Sequence, residues 1–421
     1  MTLLFMVMLV VAAGNTAMQS VLPSIGTALG AHDVWISIAF SWSALLWVVC
    51  APMWARRSDR RGRKAMMALG LVGFASSMAL CGIVFWFGLG GAMGAGLTLV
   101  LFAAARSLYG LLGSAAPPAV QAYVASRTAR SERTGALSVI SSSFGLGTIL
   151  GPALAPLMVV PVLGLTGPFV GFALMATVVL VLLRLRLPDD EPRYAARGET
   201  FDAPYSANAV AHLRDGGDEE HGRSRLGWRD ARLRPWIVTG VLGGQAQAMV
   251  LGVVGFLVLD RLALRDHPMA GASPVGLVMM CGAFATLLAQ WGLIPMLKLG
   301  PRAATLGGAA LAGMGTALFG AATNLHTIAL GFALASLGFG LFRPGFTAGA
   351  SLAVSREEQG EIGGIVASVN GSAYVVSPAI GVWLYGHSDW LGFAAIIASC
   401  LGVLAYGWRN LQRDEALTGP R

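Results

Sequence analysis

The chain has 421 residues, 55% of them hydrophobic and only 12% charged. Soluble domains carry roughly 25% charged residues, so a chain this depleted cannot cover a surface that faces water, and lipid is its natural medium. The formal charge of +8 is read below as a sign of membrane orientation rather than of nucleic-acid binding. Apolar stretches of about 20 residues suffice to cross a hydrocarbon core as helices. They predict spanning helices at 4–29, 34–54, 65–88, 94–125, 135–160, 167–187, 235–259, 273–297, 303–323, 327–354, 362–386 and 391–408. Spanning strands would alternate apolar and polar residues, and runs such as Phe169–Leu183 do not. The 56 glycines suit close helix packing in lipid, where small residues let backbones approach. The first stretch lacks a basic start and runs past Ser20, so it reads as a spanning helix and not as a cleaved signal.

Charge then predicts direction, because cytoplasmic loops collect Lys and Arg. Of the 29 basic residues, 25 fall in the segments 55–64, 127–133, 184–234, 298–302, 356 and 409–421, which share one side of the membrane. Arg261 and Arg265 fall on the other side; Arg106 and Arg343 lie within helices. Both termini are therefore expected in the cytoplasm, with the chain in a bacterial-type inner membrane.

Residues 188–234 are polar and hold Asp189-Asp190-Glu191, Asp218-Glu219-Glu220 and many Arg. They read as a cytoplasmic linker without a core of its own, whose end from Leu226 through Pro235-Trp236 lies along the membrane surface. It separates an N-terminal bundle at 1–187 from a C-terminal bundle at 235–421. An offset of 226 residues pairs Pro118 with Pro344, Arg130 with Arg356, Glu132 with Glu358 and Pro152 with Pro378. The expected fold class is an all-α membrane protein, twelve helices in two pseudo-symmetric six-helix bundles, with a site at the midplane between them.

Three strings carry a family resemblance. The loop after the second helix reads Ala55-Arg-Arg-Ser-Asp59-Arg60-Arg61-Gly62-Arg63-Lys64. It resembles the signature loop of the major facilitator superfamily, Gly-x-Leu-Ala-Asp-Arg-x-Gly-Arg-Lys, with Ala55 and Arg57 departing in its first part. The fourth helix carries Arg106-Ser-Leu-Tyr109-Gly110-Leu-Leu-Gly113, similar to the family's second motif of an Arg before a Gly-rich face. The fifth carries Gly147-Thr-Ile-Leu-Gly151-Pro152-Ala-Leu-Ala155-Pro156. That string is similar to the exporter motif Gly-x-x-x-Gly-Pro-x-x-Gly-Gly, with Ala155-Pro156 in place of the last two glycines.

The resemblance, to the twelve-helix drug:proton antiporters in particular, implies a conformational latch at Asp59, Arg60, Gly62, Arg63 and Lys64, with Asp59 reaching the eleventh helix. It implies an antiporter-type helix at Gly147, Gly151 and Pro152, and a monomer that moves a small-molecule substrate against protons. The residues allow plainer readings beside these: a basic loop that only sets topology, and generic small-residue packing. Gly62 permits a tight reversal.

A charge at a helix centre costs about 2.5–3.5 kcal/mol on insertion scales, so Arg106 and Arg343, the latter beside Pro344-Gly345, need partners or a wet cavity. Each reads as a substrate-binding Arg or as a clamp on backbone carbonyls. Asn15 stands where the family often has an acid, and Gln19 shares its helix face; they read as substrate contacts or as polar glue between helices. Trp42, Gln245, Asn370 and Tyr374 complete the candidate cavity wall. No carboxylate falls clearly at mid-membrane. The proton candidate is Asp33 at the outer mouth of the second helix; coupling through Asp59 or Glu361, a solvated helix cap at Asp33, and no use of protons at all stay open.

Two arginines without a cavity acid suit neutral or anionic amphiphiles. Export by alternating access is the leading reading. An importer or facilitator of an anionic metabolite and a transporter-like receptor without net transport are the alternatives. No nucleotide loop, no Cys/His metal spacing and no Ser/His/Asp grouping is visible, so no enzyme, cofactor or metal is expected.

Overall fold

The computed structural model describes residues 1–127, 133–188, 230–355 and 358–415; within these, the side chains at 55–56, 59–60, 125–126, 133–138, 141 and 359–361 are outside the description. The described chain is helical: α1 (Thr2–Ala28), α2 (Asp33–Arg61), α3 (Arg63–Leu89), α4 (Ala95–Leu111), α5 (Ala116–Arg127), α6 (Arg133–Met158), α7 (Gly167–Arg186), α8 (Arg234–Arg261), α9 (Pro268–Leu287), α10 (Ile294–Leu297), α11 (Pro301–Ala321), α12 (Leu325–Leu352), α13 (Gln359–His387) and α14 (Asp389–Asn410). Eleven spans among the described residues are long and apolar enough to cross a membrane, and the apolar part of α6, Ser142–Met158, supplies a twelfth. The all-α, twelve-span architecture expected from hydropathy is the one observed.

Two spans are interrupted where proline intervenes. The fourth, expected unbroken over 94–125, is α4 and α5 joined by a 3-10 turn at Gly113–Ala115. Pro117 and Pro118 have no N–H to give the carbonyls four residues back, so the α ladder breaks there. The eighth begins at Pro268, earlier than residue 273, and joins α9 to α10 through a π segment at Leu288–Leu293. The widening comes just before Pro295, whose ring would meet the carbonyl of the preceding turn. The second helix also outruns its expected end at 54, continuing to Arg61, with Arg57 stacked 5.3 Å over the Trp54 ring.

Twelve crossings put both termini on one side, called the terminal face here; the opposite one is the distal face. Gly62, at φ 88°, joins α2 directly to α3 at the terminal face, a conformation that a side chain disfavours.

Between the spans before residue 188 and those after 230, contact is by close backbone approach. Gly276 of α9 leaves room only for the Pro152 carbonyl and the Pro156 ring of α6, and Gly255 of α8 only for Pro23 of α1. Gly371 of α13 faces Val48 of α2. Within each set, α1 lies against α6 at Gly147 and Gly151, and α8 lies against α13 at Gly252 and Pro378. The second pairing repeats the first, in keeping with the offset of 226 residues.

The end of the 188–234 segment departs from expectation. Residues 189–229, and with them Leu226–Trp228, are outside the description. Pro235 and Trp236 form the first turn of α8, and Trp236 is fully buried against Gly349 instead of lying on the membrane surface. The wide indole fills the space a side chain at 349 would need.

Candidate functional site

Arg106 organises the polar centre of the first six spans. It sits in the last two turns of α4 and is 1% exposed. Its Nη2 donates to Asn15 Oδ1 on α1 and to Ser43 Oγ on α2, each at 2.9 Å. The guanidinium carbon lies 4.4 Å from the Tyr109 ring centre and 5.4 Å from that of Phe40, distances at which an aromatic face attracts a cation. Tyr109 is itself packed on Trp47 and Phe74. Nε and Nη1 of Arg106 are buried without hydrogen-bond partners. Among the described residues no carboxylate bonds to it.

Such a group is a buried cation with three of its five N–H donors uncommitted. Burying an ion without a counter-ion is expensive, and an anion or a polar substrate group reaching Nε and Nη1 would offset that cost with charge-assisted bonds. Of the candidates named from sequence, Asn15 and Arg106 are brought together. Gln19 lies one turn along α1, half-buried. Ser43 and Phe40 were not legible, because a single Ser or Phe in an apolar helix carries no pattern.

Trp42 lies on an exposed stripe of α2 with Trp35, Ile38, Leu45 and Val49, and it gives its indole N–H to Ser107 at 2.8 Å. At 3.6 residues per turn, the face holding Phe40, Ser43 and Trp47 is turned from that of 42, so Trp42 does not share the helix face that meets Arg106.

In the last six spans Arg343 of α12 stacks 6.0 Å over Tyr374 of α13. Asn370, Tyr374 and Ser377 share one face of α13 at i, i+4 and i+7 spacing. Ser377 donates its hydroxyl to Gln245 Oε1 of α8. Arg343, Tyr374, Asn370 and Gln245 therefore fall on adjoining helices, with Ser377 as a partner the pattern did not reveal.

The motif at Gly147, Gly151 and Pro152 is a packing surface. A methyl on Gly151 would lie 2.2 Å from both the Ala13 carbonyl oxygen and Thr16 Oγ1, and one on Gly147 would lie 2.7 Å from Ala12 and from the Leu9 carbonyl. Thr16 donates to the Gly147 carbonyl at 3.4 Å. In the loop expected to act as a latch, Gly62, Arg63 and Lys64 are described, while the side chains of Asp59, Arg60 and Glu361 are outside the description.

Asp33 opens α2 at the distal face and is paired: Arg265 Nη1 and Nη2 reach its two oxygens at 2.8 and 2.7 Å. The bond to Asp33, joined by a second to Asp260, holds the Arg265 guanidinium above its ordinary range. At the terminal face Arg232 holds Glu358 by two bonds of 2.8 and 3.1 Å. With the Ser355 N–H it lowers the Glu358 carboxyl to about 2. A group this acidic stays ionised near neutral pH and is unsuited to carrying a proton there.

The chain matches the Major Facilitator Superfamily over residues 4–299. It belongs to that family, and it is a multi-pass membrane transporter. Multidrug resistance protein MdtG of Dickeya zeae (strain Ech586) is 32% identical over 124 residues, which are 30% of this chain and 27% of that protein. The match thus spans about a quarter of that relative's length, and 40% of the MdtG of Citrobacter koseri (strain ATCC BAA-895 / CDC 4225-83 / SGSC4696), at 29% identity. The human organic anion transporter MFSD10 (TETRAN) shares the fold with a TM-score of 0.63 at 20% identity, covering 98% of both chains.

Proposed function

We propose that this transporter exports hydrophobic or amphiphilic small molecules, neutral or anionic, by alternating access coupled to proton influx. In this reading the bundles at 1–187 and 235–421 rock about a midplane site in the inner membrane, joined by the cytoplasmic linker 188–234, with both termini cytoplasmic and the protein monomeric. The observation that carries it is Arg106: a buried guanidinium with two uncommitted nitrogens, aromatic flanks and no carboxylate among its described bonded partners. Lipophilic cations would be repelled there; a neutral acceptor or an anionic head would be held, with Arg343, Gln245, Asn370 and Tyr374 facing it from the other bundle. The partial likeness to multidrug resistance proteins supports export. The same two arginines also favour the alternative of an importer of an anionic metabolite.

Proton coupling is proposed with Asp33 as the candidate carrier and the loop at Asp59–Lys64 as the latch. The bidentate pair with Arg265 occupies both Asp33 oxygens, so in this reading Asp33 becomes accessible when that pair breaks. Proteoliposomes with an imposed pH gradient test the reading, using an anionic and a cationic fluorescent amphiphile. Gradient-driven movement of the anionic probe, lost in Arg106→Ala and uncoupled from pH in Asp33→Asn, is the expected result. Unchanged transport in both variants would remove the site assignment; downhill uptake of an anion without a proton gradient would favour the importer.

A further inference from the structure

We infer that Arg265 is the gate of the distal face, an ion-pair bridge that keeps the two six-helix sets together there and opens by releasing Asp33 while keeping Asp260. The inference rests on the alternating-access part of the reading above and not on substrate or direction.

Arg265 stands in the short loop between α8 and α9 and makes a complete set of bonds. Nη1 and Nη2 clasp the Asp33 carboxylate of α2. Nε and Nη2 reach Asp260 at 2.6 and 3.2 Å. Nη1 also donates to Thr27 Oγ1 of α1 at 3.3 Å. Asp260 is held from a third side by the Tyr385 hydroxyl of α13 at 2.8 Å. The residues brought together come from both sets of spans: Asp33 is 232 positions from Arg265, and Asp260 only five.

The loop is shaped for this. Ala263 is at φ 52°, a left-handed conformation uncommon for a residue with a side chain. The Leu264 N–H turns back to the Leu259 carbonyl at 2.8 Å. That reversal carries Arg265 back over the end of α8 and across to α2. The surrounding surfaces are equally close, with Pro23 of α1 against Gly255 and Ser24 near Gly271.

The asymmetry of the bonds defines the motion. Asp260, Arg265 and Tyr385 belong to the last six spans and move together, so Arg265 remains neutralised after the faces part. Of these bonds, the bidentate one to Asp33 and the weaker one to Thr27 cross between the sets. Bidentate Arg–carboxylate pairs have a demanding geometry, so a small rotation ends this one outright. A neighbouring pair, Arg261 with Asp389 at 3.3 Å, lies wholly within the last six spans and has no share in the gate.

The test is a distance measurement without substrate or gradient, so its failure is separate from any failure of the export reading. Spin labels at Val162 and Thr323, both exposed at the distal face and neither of them a bridge residue, report its opening by double electron–electron resonance in lipid nanodiscs, with the native cysteines replaced by alanine. The parent is expected to hold mainly the short distance. Arg265→Gln and Asp33→Asn should each raise the ratio of long to short distances about 3- to 10-fold. Asp389→Asn should leave it unchanged. Parent-like distributions in both single variants would overturn the gate.

Discussion

Arg106 shows how one residue can be visible in a sequence while its role is decided by its neighbours. An ionisable side chain inside an apolar run is conspicuous because insertion is costly, and the same reasoning marks Arg343. Asn15, 91 positions earlier, is a partner of Arg106, and its polarity in α1 made it a candidate. Ser43 was not, although its bond is equally short, because a hydroxyl in a membrane helix can satisfy itself on its own backbone. Trp42 shows a complementary point: residue type made it a cavity candidate, while the rotation of α2 sets it on a different face from Phe40, Ser43 and Trp47.

If Arg106 is retained for substrate and not as a clamp, an apolar replacement of similar length should be tolerated by the fold. Replacing buried ionic groups with packed apolar ones is often neutral or stabilising by about 1–4 kcal/mol. Arg106→Met is therefore expected to keep or raise the thermal midpoint of the purified protein while abolishing export. A midpoint lowered by more than about 5 °C would favour the clamp. Arg106→Lys should not rescue transport, since an ammonium cannot present the same planar fork to Asn15, Ser43 and a substrate.

At the scale of elements, close packing of α1 on α6 depends on small residues, because two helices in lipid gain little from the hydrophobic effect. Gly151 has no room for a methyl group, whereas one on Gly307 of α11 would meet nothing within 4 Å. Overpacking of this kind typically costs about 1–3 kcal/mol. Gly151→Ala should thus lower the thermal midpoint clearly, and Gly307→Ala should leave it unchanged or slightly higher, as read by fluorescence-detected thermal unfolding in detergent. Equal midpoints would mean that α1 and α6 yield without cost. Helix existence was legible throughout from apolar length, but two interruptions were not, at Gly113–Ala115 and Leu288–Leu293. Both accompany prolines that a hydropathy count treats as ordinary residues.

For the whole molecule, the basic residues make a prediction about orientation. The positive-inside bias predicts that 55–64 and 184–234, rich in arginine, lie in the cytoplasm. Single cysteines at Arg61 and Arg413 should be protected from an impermeant maleimide in intact cells, and one at Val162 should react. Labelling of Arg61 and Val162 from the same side would refute the twelve-span order. The closed distal face adds that the state described is one in which Pro23, Thr27 and Asp33 of the first spans meet Gly255 and Arg265 of the last.

Lipid as the medium, the number of crossings, the tight joint at Gly62 and the singular position of Arg106 were all readable along the chain, because each follows from local composition or from one residue's own cost. The Asp33–Arg265 bridge, the Ser377–Gln245 bond, the burial of Trp236 and the bond from Trp42 to Ser107 were not. Each depends on which helix faces which across more than a hundred residues of sequence, or on the rotation of a helix about its axis. Apolar runs this uniform leave both undetermined until the twelve spans pack.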